Sequence, residues 1–282
     1  MANASPRALV NVNMRVRDSI FALLSCLLAT AAFAQTGLKL GGTTHFKVEL
    51  TPELRSVAGR GQPSPVTHAL VAISVPENFD AARDWPVMVV SATSDPGAHS
   101  SRLLLGAYAE TARAAGWILV AADPTPEVPV PKDEVALRYV LNSAALAALA
   151  SRWPAGAKAP LAFGGFSGGS KFSGWLAAAF ANEGRTIIGI YVAGMNENVI
   201  LSAAQDFKVL NDRYKRVPVF LQSGDRDEVA TPADHRRIQA ELKNAGFKNV
   251  RVEYFHGEHD EDAGPLRIAL DWFRELAGTG TP

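Results

Sequence analysis

Gly165-Phe166-Ser167-Gly168-Gly169 closes the apolar run Ala159-Pro160-Leu161-Ala162-Phe163 and precedes a helix-like stretch from Lys171 to Ala181. A serine in a G-x-S-x-G pattern between a strand and a helix is a candidate nucleophile. The sharp turn holds its hydroxyl exposed above the sheet, and the flanking glycines relieve the crowding a Cβ would cause there. The pattern by itself is weak, and two other readings compete with it: a glycine-rich turn without chemistry, and a phosphate cradle at a helix N-terminus. Lys171 does not complete a P-loop, and Gly164 to Gly169 lacks the G-x-G-x-x-G spacing of dinucleotide sites. Context therefore decides.

Working outward, apolar runs alternate with helical patterns on both sides of Ser167. Two amino-terminal strands, His45 to Leu50 and His68 to Val75, flank the Gly/Pro/Ser-rich segment Gly59 to Pro65, and a hairpin is expected there. The series continues as strand Pro86 to Val90, helix Ser100 to Ala115, strand Trp117 to Ala122, helix Lys132 to Arg152 and strand Pro160 to Gly164. After a helix from Gly169 come strand Thr186 to Ala193, a short helix Val199 to Phe207, strand Val217 to Gln222, helix Pro232 to Ala245, strand Val250 to Phe255 and helix Pro265 to Leu276. Such alternation predicts an α/β fold: a mostly parallel sheet of about eight strands with helices on both faces. Only some two dozen residues separate the strands at Thr186 and Val217, which leaves no room for a large cap, so an open site is expected.

A serine hydroxyl needs an adjacent base, and the base needs an orienting acid. Downstream, the strand ending at Gln222 empties into Ser223-Gly224-Asp225-Arg226-Asp227-Glu228, where a doubly wound sheet carries its functional loops. The next strand empties into His256-Gly257-Glu258-His259-Asp260. Asp225 and Asp227 are candidate acids, and His256 and His259 candidate bases. His45, His68, His99 and His235 have no comparable setting and read as surface or turn residues.

With the order Ser, Asp, His in place, the chain from about Thr44 to Leu276 resembles the α/β-hydrolase superfamily, in particular its compact, uncapped esterase, dienelactone-hydrolase-like and polyester-depolymerase-like members. The resemblance implies a catalytic set of Ser167, Asp227 and His259, because Gly224, Asp227 and Pro232 fit the family's acid turn and Gly257-Glu258-His259 its base turn. Asp225 and His256 remain the alternatives. It further implies oxyanion donors at the backbone of Gly168 and, from the loop Ser91 to His99, of Thr93, with Ala92 or Ser94 as neighbours in that role. This loop departs from the family's usual His-Gly. Asp95 and His99 read equally as cleft residues and as part of a helix-capping loop before Ser100.

The activity implied is ester hydrolysis without a cofactor, on a small-molecule or polymeric ester. A serine peptidase or amidase and a non-catalytic binding protein share the scaffold. No metal is expected, since the histidines at 256 and 259 do not make a helical H-E-x-x-H and no cysteine set exists. The 282 residues, 48% hydrophobic and 20% charged, suit one domain, and 28 basic against 28 acidic residues give no signal for nucleic acid or an anionic membrane.

Arg15 and Arg17 precede an apolar run from Ile20 to Phe33 that ends in Ala32-Phe33-Ala34. Residues 1–34 therefore read as an export signal, too short for the ~20 apolar residues of a membrane span. A periplasmic or secreted domain over residues 35–282 is expected, with no stable membrane span after cleavage. Cys26, the only cysteine, falls within the signal, so the mature domain has no disulfide.

Overall fold

The computed structural model describes residues 37–60, 62, 64–95, 97–125 and 135–278. The expected export segment with Cys26, and the first three residues of the helix expected from Lys132, lie outside them. In chain order the elements are β1 (Thr43–Glu49), α1 (Pro52–Ala58), β2 (His68–Ser74), β3 (Val87–Ser91), α2 (Ser101–Ala114), β4 (Ile118–Pro124) and α3 (Val135–Arg152). They continue as β5 (Leu161–Phe166), α4 (Gly168–Asn182), β6 (Ile187–Ala193), α5 (Val199–Asp206), β7 (Val219–Gly224), α6 (Pro232–Asn244), β8 (Val250–Phe255) and α7 (Ala263–Ala277).

The eight strands form one sheet in the order β1-β2-β4-β3-β5-β6-β7-β8. β1–β2 and β2–β4 are antiparallel and the pairs from β4 through β8 are parallel. Side chains alternate faces along each strand, and the core divides accordingly. Val87, Val89, Ile118, Val120, Leu161, Phe163, Ile190, Val192, Val219 and Leu221 meet α1, α3, α4, α5 and α6 on one face. Met88, Val90, Leu119, Ala162, Tyr191 and Phe220 meet α2 and α7 on the other. Coverage on both faces explains why the central strands read as continuous apolar runs rather than as alternations.

The β1–β2 connection is not a plain turn. Thr51 caps α1 with its side chain, Pro52 occupies the first helical turn, and Val57 and Ala58 are buried against the core. Several strands also run further toward their carboxyl ends than expected: β4 to Pro124, β5 to Phe166 and β7 to Gly224. Gly165 and Gly224, expected in the turns beyond the strands, are strand residues here. Short 3₁₀ turns at Pro154–Lys158 and Tyr214–Arg216 complete the described elements. No described helix is long and apolar enough to cross a membrane. The connection from β6 to β7 holds only α5 and the second 3₁₀ turn, so among the described residues no cap domain rises above the sheet.

Candidate active site

β5 lies at the centre of the sheet and delivers Ser167 directly to the N-terminus of α4. Ser167 has φ 53° and ψ −120°, a left-handed conformation that costs a non-glycine residue on the order of 1–3 kcal/mol and persists only where surrounding structure enforces it. The enforcement is visible. Ser167 N–H donates to Ala193 O at 2.8 Å, while the buried Ser170 Oγ lies 2.7 Å from Gly165 O and 2.6 Å from Ala193 O. A Cβ on Gly165 or Gly169 would lie 2.3 or 2.0 Å from Ser91 O, so only glycine lets the turn pack against the end of β3.

Ser167, His259 and Asp227 meet in one hydrogen-bonded line. His259 Nε2 is 3.0 Å from Ser167 Oγ and His259 Nδ1 is 2.8 Å from Asp227 Oδ2. The other oxygen of Asp227 accepts from the N–H groups of Val229 and Ala230 at 2.8 and 2.7 Å. These two bonds bend the loop after β7 around the buried carboxylate and leave it one free edge, turned to the imidazole. Phe166 packs against the His259 ring with centroids 4.8 Å apart, and Gly194, at φ +63°, passes so close that a Cβ would lie 2.8 Å from His259 Cε1.

Asp225 and His256 form a separate, exposed pair. His256 Nδ1 is 3.0 Å from Asp225 Oδ2, and Gly257 N–H donates to Asp225 Oδ1. The bond from His256 holds the Asp225 carboxyl below its usual range. The pair ties the loop after β7 to the loop after β8, while Asp227 closes the turn that follows β7. His235 also departs from the surface reading. It is fully buried in the first turn of α6, where Nδ1 faces Thr231 O at 3.1 Å and Nε2 faces the Met195 N–H at 3.4 Å. Burial pushes its basicity down, so it serves as a neutral link between the loops after β6 and β7.

Two backbone N–H groups complete the site. Gly168 is the first residue of α4 and has no intrahelical acceptor. In the loop after β3, Ala92 N–H is taken by Ser101 Oγ at 3.2 Å, whereas Thr93 N–H has no partner among the described residues. The two loops touch: Thr93 Cα lies 3.4 Å from the position a Cβ on Gly168 would take. Thr93 Oγ1 donates to Asp95 Oδ2 at 2.8 Å, and His99 is exposed in the approach to α2. Among the described residues, no three His, Cys, Asp or Glu side chains converge where they could hold a metal ion.

Sequence reasoning did not find Ser170, His235, Gly194 or the buried Arg138 behind Thr93. Ser170 alone had a local signal, three residues beyond the nucleophile candidate on the helix it begins.

No protein-family model and no curated protein matches the chain in sequence. Solved structures match in shape. A lidless α/β serine hydrolase from Xanthomonas campestris superposes with a TM-score of 0.57 at 17% identity, covering 87% of this chain and 99% of that one. Esterase 2 of Thermogutta terrifontis gives 0.55 at 13% identity over 86% and 98% of the two chains. The Pyrococcus furiosus esterase Pf2001 gives 0.51 at 14% identity over 88% and 97%. Strand order, the strained serine at the β5–α4 turn and these superpositions agree: the chain has the α/β-hydrolase fold in its compact form, without a lid.

Proposed function

We propose that the protein is a serine hydrolase that cleaves carboxylic esters through an acyl-enzyme on Ser167. The observation that carries this reading is the unbroken line from Ser167 Oγ through His259 to Asp227, set beside two backbone N–H groups without partners among the described residues. Ser167 Oγ attacks the ester carbonyl while His259 Nε2 takes its proton, and the carbonyl oxygen becomes an anion held by the N–H groups of Gly168 and Thr93. His259 then protonates the departing alcohol. Water enters, gives a proton to His259, and attacks the acyl-enzyme, which collapses to the acid as His259 returns the proton to Ser167 Oγ. Asp227 keeps the imidazole in the tautomer that presents a lone pair to Ser167 and stabilises the imidazolium. No cofactor takes part in these steps. The lack of a cap suits a small-molecule or polymeric ester, and the amino-terminal segment supports export to the periplasm or beyond.

Hydrolysis of p-nitrophenyl esters from acetyl to decanoyl, compared with Ser167→Ala, tests the reading. Turnover by the wild type that the variant lacks is the expected result, together with fluorophosphonate labelling at Ser167. No turnover on any ester and no labelling would sink it.

A further inference from the structure

Arg138 lies in α3, fully buried, with its guanidinium aimed at the back of the loop that carries Thr93. Nη2 donates to Thr93 O at 3.2 Å and Nη1 to Ser101 Oγ at 2.7 Å. Ser101 Oγ in turn accepts the Ala92 N–H. The peptide groups on either side of the Ala92–Thr93 peptide are thus both held by one cation, directly or through one hydroxyl, and the Thr93 N–H between them has no partner among the described residues.

The rest of the cation's surroundings link this loop to the nucleophile. Its carbon lies 4.9 Å from the centre of the Phe172 ring, on the first turns of α4. Asp123, at the end of β4, sits 4.0 Å from Nη1 and is itself bonded to Ser100 Oγ, the N–H groups of Ser101 and Arg102, and Arg102 Nε. Burying a cation is costly even when it is paired, and apolar side chains of similar volume often serve stability as well or better. An arginine placed there, with Nε lacking a partner among the described residues, calls for a reason other than packing.

We propose that Arg138 is a positioning residue for the oxyanion hole: it fixes the two peptides flanking the Thr93 N–H and so sets that donor against the one on Gly168. This role rests on the hydrolase reading above. A fork with two donors is required, because a lysine at this position presents a point charge that cannot hold Thr93 O and Ser101 Oγ in the same planar geometry.

The test compares wild type, Arg138→Met, Arg138→Lys and Ser101→Ala on a p-nitrophenyl ester and its thionoester, whose larger, weakly accepting sulfur gains little from the hole. Arg138→Met is expected to lose kcat by at least tenfold, since removing a whole donor costs about 10²–10³, with KM within about twofold. Its preference for ester over thionoester should fall by a similar factor. Ser101→Ala should show the same pattern more weakly, and Arg138→Lys should recover only part of the loss. Tyr139→Phe, on the same helix as Arg138, which removes a half-buried hydrogen bond to Glu183 at the end of α4, should keep both kcat and the preference. Folded Arg138 and Ser101 variants with unchanged kcat and unchanged preference would overturn the proposal. A wild type without turnover would instead overturn the hydrolase reading. Amide exchange at Ala92 then decides the clamp on its own: protection lost in Ser101→Ala or Arg138→Met supports it, and protection retained in both refutes it.

Discussion

Asp227 gives one carboxylate oxygen to His259 and the other to the backbone of its own loop, so the acid and the imidazole it orients cannot shift independently. Asp227→Asn preserves the shape of this contact but turns an amide toward Nδ1 and favours the wrong tautomer. A loss of kcat of about 10³–10⁴ is expected. Asp225→Asn, by contrast, touches an exposed pair and should change kcat by less than about threefold. Steady-state kinetics of the two variants side by side checks the assignment, and a larger loss at Asp225 would reverse it.

Ser167 is held at φ 53°, and releasing that conformation should be visible without any substrate. Ser167→Gly and Ser167→Ala both remove the proposed nucleophile, yet only glycine accepts the backbone geometry at no steric cost. The glycine variant is expected to be about 1 kcal/mol more stable than the alanine variant. Urea unfolding of both measures the difference, and an alanine variant of equal or greater stability would contradict the strain.

Gly194 combines a positive φ with close approach to His259 and Phe166. Alanine there carries a backbone penalty of about 1 kcal/mol or more and a methyl in the space of the imidazole. Gly194→Ala should lower the melting temperature by several degrees and kcat by about tenfold or more. A variant that loses stability but keeps full kcat would show that the imidazole has room to move.

Glu183, at the end of α4, receives a hydrogen bond from Tyr139 and stands beside Arg185. Burial outweighs that cation and raises its pKa from 4.5 to about 7. A carboxyl raised on folding favours the native state while it is protonated, so its contribution is complete below pH 4.5 and is lost as pH climbs to about 7. Glu183→Gln should therefore gain stability relative to wild type over that window, by up to about 3 kcal/mol at pH 8. Thermal unfolding of both proteins at pH 5 and pH 8 tests it; a constant difference between them would rule the ionisation out.

The alternation of apolar runs with helices was legible because both faces of the sheet are covered, which leaves the central strands with no polar positions to confuse the pattern. The turn at Ser167 was legible for a local reason, since the glycines that let it approach Ser91 O stand beside it in sequence. α1 was missed although Thr51 and Pro52 mark its start, because seven residues are too few for a helical period to show. Arg138, His235 and Gly194 escaped for a different reason. Each acts on a loop that lies far away along the chain, and nothing in its own neighbourhood records that contact.

The sheet order places the strand of the oxyanion loop and the strands of the serine, acid and histidine on opposite sides of the β3–β5 pairing, where Val90 lies opposite Gly164 and Ser91 opposite Gly165. One half of the molecule would supply the Thr93 donor that quiets the charge of the reaction, and the other half the Gly168 donor and the groups that move its proton. Because the histidine follows the last strand, a growing chain can complete the first half, and even its serine, while still inert. Chemistry would begin only after β8 docks, so reactivity would report on the finished fold.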